Sequence, residues 1–76
     1  MSITAFEKRL RALFPDRNTG KLEVVGRDGK ELDDDAISKK KPAYIEARLD
    51  GAGSWANNSL ESILGYVELL KGVRKK

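Results

Sequence analysis

Apolar residues recur at helical spacing at both ends of this chain and at strand spacing between them, which commits it to a mixed architecture. Ile3, Phe6, Leu10, Leu13 and Phe14 make one apolar stripe near the start. Leu60, Ile63, Leu64, Val67 and Leu70 make a second, which Tyr66, Leu69 and Val73 widen beyond what one packed face needs. Between them Ile45, Ala47 and Leu49 alternate with Tyr44, Glu46 and Arg48, so a strand presents each set to a different face. The 76 residues suffice for one domain. The expected fold is α+β, a small single domain spanning 1–76 in the order α-β-β-(short helix or loop)-β-α. An antiparallel three-strand meander is packed in it by the N- and C-terminal helices. A chain of this size buries only about 60% of the surface its unfolded form exposes. Its stability should lie in the range of roughly 4–11 kcal/mol.

Local signals place the element boundaries. The first helix is expected over about 4–14, with Thr4 and Glu7 as a capping box and Pro15 closing it. Asp16 to Gly20 reads as a turn. A hairpin is expected over about 21–33, around Arg27-Asp28-Gly29. A type I turn with Gly29 left-handed sets Val24 against Leu32, with Leu22 on the same apolar face, and this register is preferred over one that opposes Arg27 to Lys30. Asp33-Asp34-Asp35 followed by Lys39-Lys40-Lys41-Pro42 has the charge order of a short helix, and a solvated loop fits about as well. A strand follows over about 43–50, then a loop from Gly51 to Ala56. The last helix is expected over about 58–71, with Asn58 as N-cap and Glu61 completing a capping box. Gly72 suits the left-handed position past its end, Val73 folds back on the last turn, and 72–76 is a basic tail. Gly65 inside this helix implies a closely packed neighbour, within the domain or across an interface, because glycine there costs roughly 1 kcal/mol against alanine.

Composition removes whole classes of chemistry. The chain has no cysteine and no histidine, hence no disulfide, no thiolate metal site and no imidazole base. Glu46, Asp50, Ser54 and Tyr44 would have to do everything in an enzyme, so no catalytic residue is assigned. No cofactor, metal or small-molecule substrate is expected, and Gly51–Ala56, although it fits G-x-G-x-x-A, lacks the βαβ unit and later carboxylate of a dinucleotide turn. Ser38 to Lys41 contains S-x-x-K without its companion motifs, and the triple aspartate lacks the spacing of a calcium loop. No apolar run is long enough for a membrane span, and the early charges Glu7, Lys8 and Arg9 speak against a signal peptide, so a cytoplasmic location is expected.

The net charge of +3 is unevenly spread: residues 1–30 carry +3, residues 31–70 carry −4 and residues 71–76 carry +4. That polarity suggests a directional field more than an affinity for polyanions in general. The order helix–strand–strand–strand–helix is similar to that of the double-stranded-RNA-binding domain, whose last helix also follows a G-x-G stretch. That family carries lysines just after its glycines, where this chain has Ser54, Trp55, Ala56 and Asn57. The resemblance is one of topology and transfers no functional residue.

The leading functional expectation is a non-enzymatic binding or regulatory protein acting through a protein–protein interface or as a homodimer, as small inhibitors and adaptors of bacteria and phages do. Its contact residues would be Trp55, Tyr44, Tyr66 and Leu69, with Arg9, Arg11 and Arg48 as charged anchors. The alternative is a DNA- or RNA-binding module. It would use Lys8, Arg9, Arg11, Arg17, Lys39, Lys40, Lys41, Arg74, Lys75 and Lys76, with Tyr44 and Trp55 as stacking surfaces.

Overall fold

The computed structural model describes residues 1–72 and holds a small α+β domain of three helices and one three-stranded antiparallel sheet. The order is α1 (Ile3–Ala12), β1 (Leu22–Val25), α2 (Asp34–Lys40), β2 (Ile45–Leu49), β3 (Gly53–Asn57) and α3 (Leu60–Leu70). The sheet runs β1-β2-β3, so β2 is paired on both sides. Residues 73–76, which include Val73, Arg74, Lys75 and Lys76 of the expectations above, lie outside the described residues.

The sheet departs from expectation at both its ends. The expected return strand at 30–33 is a single bridge, Val25 to Glu31, although the register is the preferred one: Leu32 N–H donates to the Val24 carbonyl at 2.9 Å and Gly29 is left-handed (φ 80°). The strand stops there because Asp33 leaves to cap α2, its carboxylate accepting the Ala36 N–H at 2.7 Å. The helical alternative for 34–40 is therefore the one observed, with acids in its first turn, lysines in its last and Lys41 left-handed (φ 45°) before Pro42. The third strand is instead the stretch expected as a loop. Leu49 closes a turn by accepting the Ala52 N–H, Gly51 supplies the positive φ of 85°, and Gly53–Asn57 runs back along β2.

Both long helices are capped at residues other than the expected ones, two positions earlier in α1 and one later in α3. Ser2, not Thr4, caps α1, its hydroxyl accepting the Ala5 N–H at 3.1 Å, and the Glu7 carboxylate turns to Arg11 instead of to the cap. Asp34 adds a second acceptor there, taking the Ile3 N–H at 2.7 Å and tying α2 to the start of α1. Ser59, not Asn58, caps α3 by accepting the Ser62 N–H at 3.0 Å, while Glu61 reaches the Met1 ammonium at 2.9 Å. Gly72 is left-handed (φ 74°) and donates to the Leu69 carbonyl.

One face of the sheet carries Leu22, Val24, Ile45, Ala47, Leu49 and Trp55, as the pairings Leu22–Leu49, Val24–Ala47 and Ala47–Trp55 require. Phe6, Leu10 and Phe14 from the first helical segment close over it, with Leu60, Ile63, Leu64 and Val67 of α3. No buried residue among those described is polar or charged, so this core is held by apolar burial alone. Each large side chain in it contributes about 1.5–3 kcal/mol. Helices α1 and α3 lie side by side and parallel, since Met1 meets Glu61, Arg9 meets Glu68 and Lys71 stands over Phe14. Gly65 is buried and lines a crevice with Met1, Arg9, Leu64 and Glu68, on the side of α3 that faces α1. Leu70 departs from its expected core role and is 60% exposed.

A tight backbone approach lies at Gly20, where an added methyl would collide with the carbonyl oxygen and Cβ of Asp50. This contact sits beside the bond from Asp50 N–H to the Lys21 carbonyl that starts the β1–β2 ladder. Gly20→Ala is expected to destabilise the domain by about 1–3 kcal/mol, measured by urea denaturation, because backbone cannot yield as a side chain would.

Candidate functional site

The polar residues expected to contact a partner are distributed over both sides of the molecule. Tyr44, Glu46 and Arg48 share the sheet face that carries no helix. Tyr44 OH donates to Glu46 Oε1 at 3.2 Å, and Arg48 Nε donates to Glu46 Oε2 at 2.9 Å. Arg27 lies over the Tyr44 ring, 5.2 Å from its centroid, and the cluster occupies the face where Val25 is buried opposite Glu46. Arg48 beside it, with help from the Tyr44 hydroxyl, holds the Glu46 carboxyl below the usual carboxylate range, while Glu46 raises Arg48. A carboxylate held ionised by a guanidinium is a poor general acid or base near neutral pH.

The other expected residues divide further. Trp55 is half-buried and stacks on Phe14, ring centroids 5.4 Å apart, with Arg17 and Lys71 over the same Phe14 ring. It is therefore partly consumed by the fold. Arg9 pairs with Glu68 at 3.5 Å between the two long helices. Arg11 pairs with Glu7 at 2.9 Å, donates to the Asn18 carbonyl and so fixes the turn after α1. Only Tyr66 and Leu69 are left as exposed apolar groups, 50% and 42% respectively, and Leu70 joins them at 60%.

The basic residues expected to track phosphates do not form one line either. Lys8 is exposed on α1, Arg17 stands by Phe14 past the end of that helix, and Lys39 to Lys41 close α2 at the end of the domain where α1 begins. Lys39 is paired with Asp35 at 3.3 Å, and the carboxylates of Asp34 and Asp35 lie on the same short helix. Arg74, Lys75 and Lys76 lie outside the described residues.

A groove of about 770 Å³ opens where α1, α2 and α3 begin, floored by Ile37, Ile45 and Leu60 and rimmed by Ser2, Asp34 and Ser59. Its polar rim groups at Ser2, Asp34 and Ser59 are already engaged as caps of the molecule's own helices. No group of three or more acidic, histidine or cysteine side chains among the described residues is placed to hold a metal ion, and no described helix is long and apolar enough to cross a membrane.

Among the described residues, exposed apolar side chains and an exposed strand adjoin at α3 and β3. Helix α3, which carries the exposed Tyr66, Leu69 and Leu70, contacts β3, a strand of which every residue but Trp55 is exposed. Sequence reasoning missed β3 and Leu70. The missed signal was Asp50-Gly51, a strong two-residue hairpin cue, followed by the alternation of Ser54 and Ala56 with Trp55. Compared with known proteins, the chain matches no family model, no curated protein and no solved structure.

Replacing Arg48 with methionine removes the main cause of the low Glu46 pKa, so the Glu46 titration should rise toward the ordinary carboxylate range in a carboxyl NMR titration. In the parent protein a lowered carboxyl contributes stability above the usual carboxylate range and loses it as pH falls through the lowered value. That acid-side contribution should vanish in Arg48→Met.

Proposed function

We propose that this chain is a small non-enzymatic binding module that acts through a protein–protein interface, in the manner of an inhibitor or adaptor that covers a site on another chain. The observation that carries this reading is the exposed row Tyr66, Leu69 and Leu70 on α3, next to the uncharged, exposed strand β3. Isolated exposed leucines are ordinary on a small domain, but two neighbouring leucines with a tyrosine one turn away form a patch. Such a patch, if permanently wet, forfeits the burial that a marginal 76-residue core most needs.

Two further features support a binding role over catalysis. The chain has neither histidine nor cysteine, and Glu46, the most elaborately partnered carboxylate, is tied to Arg48 and Tyr44. The nucleic-acid alternative has less behind it. Arg9, Arg11 and Lys39 are already paired with Glu68, Glu7 and Asp35, so a phosphate track would have to break ion pairs inside the molecule.

The test is site-specific photo-crosslinking in cells, with the photoreactive residue at Leu69 in one variant and at exposed Lys8 in another. The expected result is a protein adduct from position 69 and none from position 8. A nucleic-acid adduct at Lys8, or no protein adduct at 69, would overturn the reading.

A further inference from the structure

The two edges of the sheet are treated differently. Beyond β1, the return segment covers the edge: Gly26 N–H donates to the Lys30 carbonyl, Leu32 N–H to the Val24 carbonyl, and Lys30, Glu31 and Asp33 add charge along it. Beyond β3 nothing equivalent occurs among the described residues. Residues 51–60 contain no charged side chain and no proline, in a chain that is 36% charged. Edge strands are ordinarily blunted by lysine, proline, a bulge or a covering segment, and β3 has none of these among the described residues.

The ladder fixes which backbone groups of β3 are free. Asp50 N–H donates to the Lys21 carbonyl, so Asp50, Arg48 and Glu46 turn their main-chain groups toward β1. By the same alternation Leu49, Ala47 and Ile45 turn theirs toward their β3 partners Gly53, Trp55 and Asn57. Ser54 and Ala56 are left with N–H and C=O aimed outward. These two lie symmetrically about Trp55, and their side chains are small.

The overhanging helix is oriented to match. At about 100° per residue, Gly65 and Glu68, which face α1 at Arg9, lie on the opposite flank of α3 from Tyr66 and Leu70. Since α3 contacts β3 on the sheet and α1 beside it, that second flank is turned outward beyond the β3 edge. Tyr66 and Leu70 are the exposed apolar groups on it.

We propose that this edge is the seam of a symmetric homodimer, in which β3 pairs antiparallel with β3 of a second copy and the two sheets become one of six strands. The inference rests on the reading of this surface as protein-binding and names its partner. With Trp55 facing Trp55 of the second copy on the axis, Ser54 and Ala56 of one copy exchange hydrogen bonds with Ala56 and Ser54 of the other. The side chains brought together on the open sheet face are serine and alanine, with no like charges to oppose. On the helix side the two tryptophans form a cross-strand aromatic pair, and the Tyr66–Leu70 flanks meet above the seam. A foreign peptide strand is read by pockets beside the edge, and neither the groove where the helices begin nor the crevice between α1 and α3 is lined by 53–57. A second copy needs no such pockets.

The experiment is sedimentation equilibrium on the whole chain, alone and as Ala56→Pro and Leu70→Glu. Proline at 56 deletes only an outward N–H and leaves the β2–β3 ladder intact, a position where edge strands accept it. The parent chain should sediment at twice its 8.5 kDa, and each variant should weaken dimerisation by roughly tenfold to a hundredfold while still melting cooperatively. Residue-resolved hydrogen exchange on the unaltered chain gives a second readout that does not depend on a variant folding. The Ser54 and Ala56 amides should gain protection as concentration rises. A parent chain that stays monomeric up to about 1 mM overturns the proposal, as does a dimer that neither variant weakens or one whose Ser54 and Ala56 amides exchange freely. A monomer that still yields foreign-protein adducts from position 69 removes the dimer and leaves the binding module standing. A dimer that meets these criteria but gives no foreign-protein adduct at 69 in cells keeps the seam and removes the separate protein target.

Discussion

Everything in this domain depends on β2. It is the one strand paired on both sides, and its inward side chains Ile45, Ala47 and Leu49 are all but fully buried beneath α1 and α3. Because side chains alternate along a strand, that burial also decides that Tyr44, Glu46 and Arg48 face the opposite way. The Glu46–Arg48–Tyr44 cluster is thus a consequence of the core rather than an independent feature. It gives the helix-free face a solvated, ion-paired surface and little chemistry. No buried residue among those described is polar or charged, so the fold leans on apolar burial, with caps and the ladder taking up backbone groups.

So small a core leaves the domain with an imbalance. The β1 edge is closed by its own return segment, and α1 turns Phe6 and Leu10 inward with charges behind. The β3 edge and the outward flank of α3 receive no such treatment, and they adjoin. An unprotected edge and an unburied leucine row are each a liability alone, and together they make a surface that association would complete. This is why the binding reading and the dimer inference converge on one side of the molecule, while the aromatic and arginine residues that looked most like anchors in the sequence are largely spent on internal contacts. Trp55 stacks on Phe14, Arg9 and Arg11 hold helix and turn, and Arg48 holds Glu46.

The sequence by itself determined the two amphipathic helices, the alternation of β2 and the left-handed Gly29 turn with its register, while the charge order of 34–40 suited a helix and a loop equally. Each is a local matter of periodicity, turn chemistry or helix dipole, carried by neighbours in the chain. Tertiary structure decided the rest. Glu61 serves the Met1 ammonium instead of a capping box because the parallel packing of α1 and α3 brings their starts together. Asp34 caps α1 from 31 positions away, which no local pattern encodes. Gly51–Ala56 looked like a flexible loop since glycine and small polar residues have weak strand preference, and it became β3 only because β2 offered a free ladder beside it. Whether Tyr66, Leu69 and Leu70 are core or surface was beyond the heptad-like pattern of α3. That pattern counts apolar positions, but only the width of the sheet and the position of α1 fix how many of them can be covered.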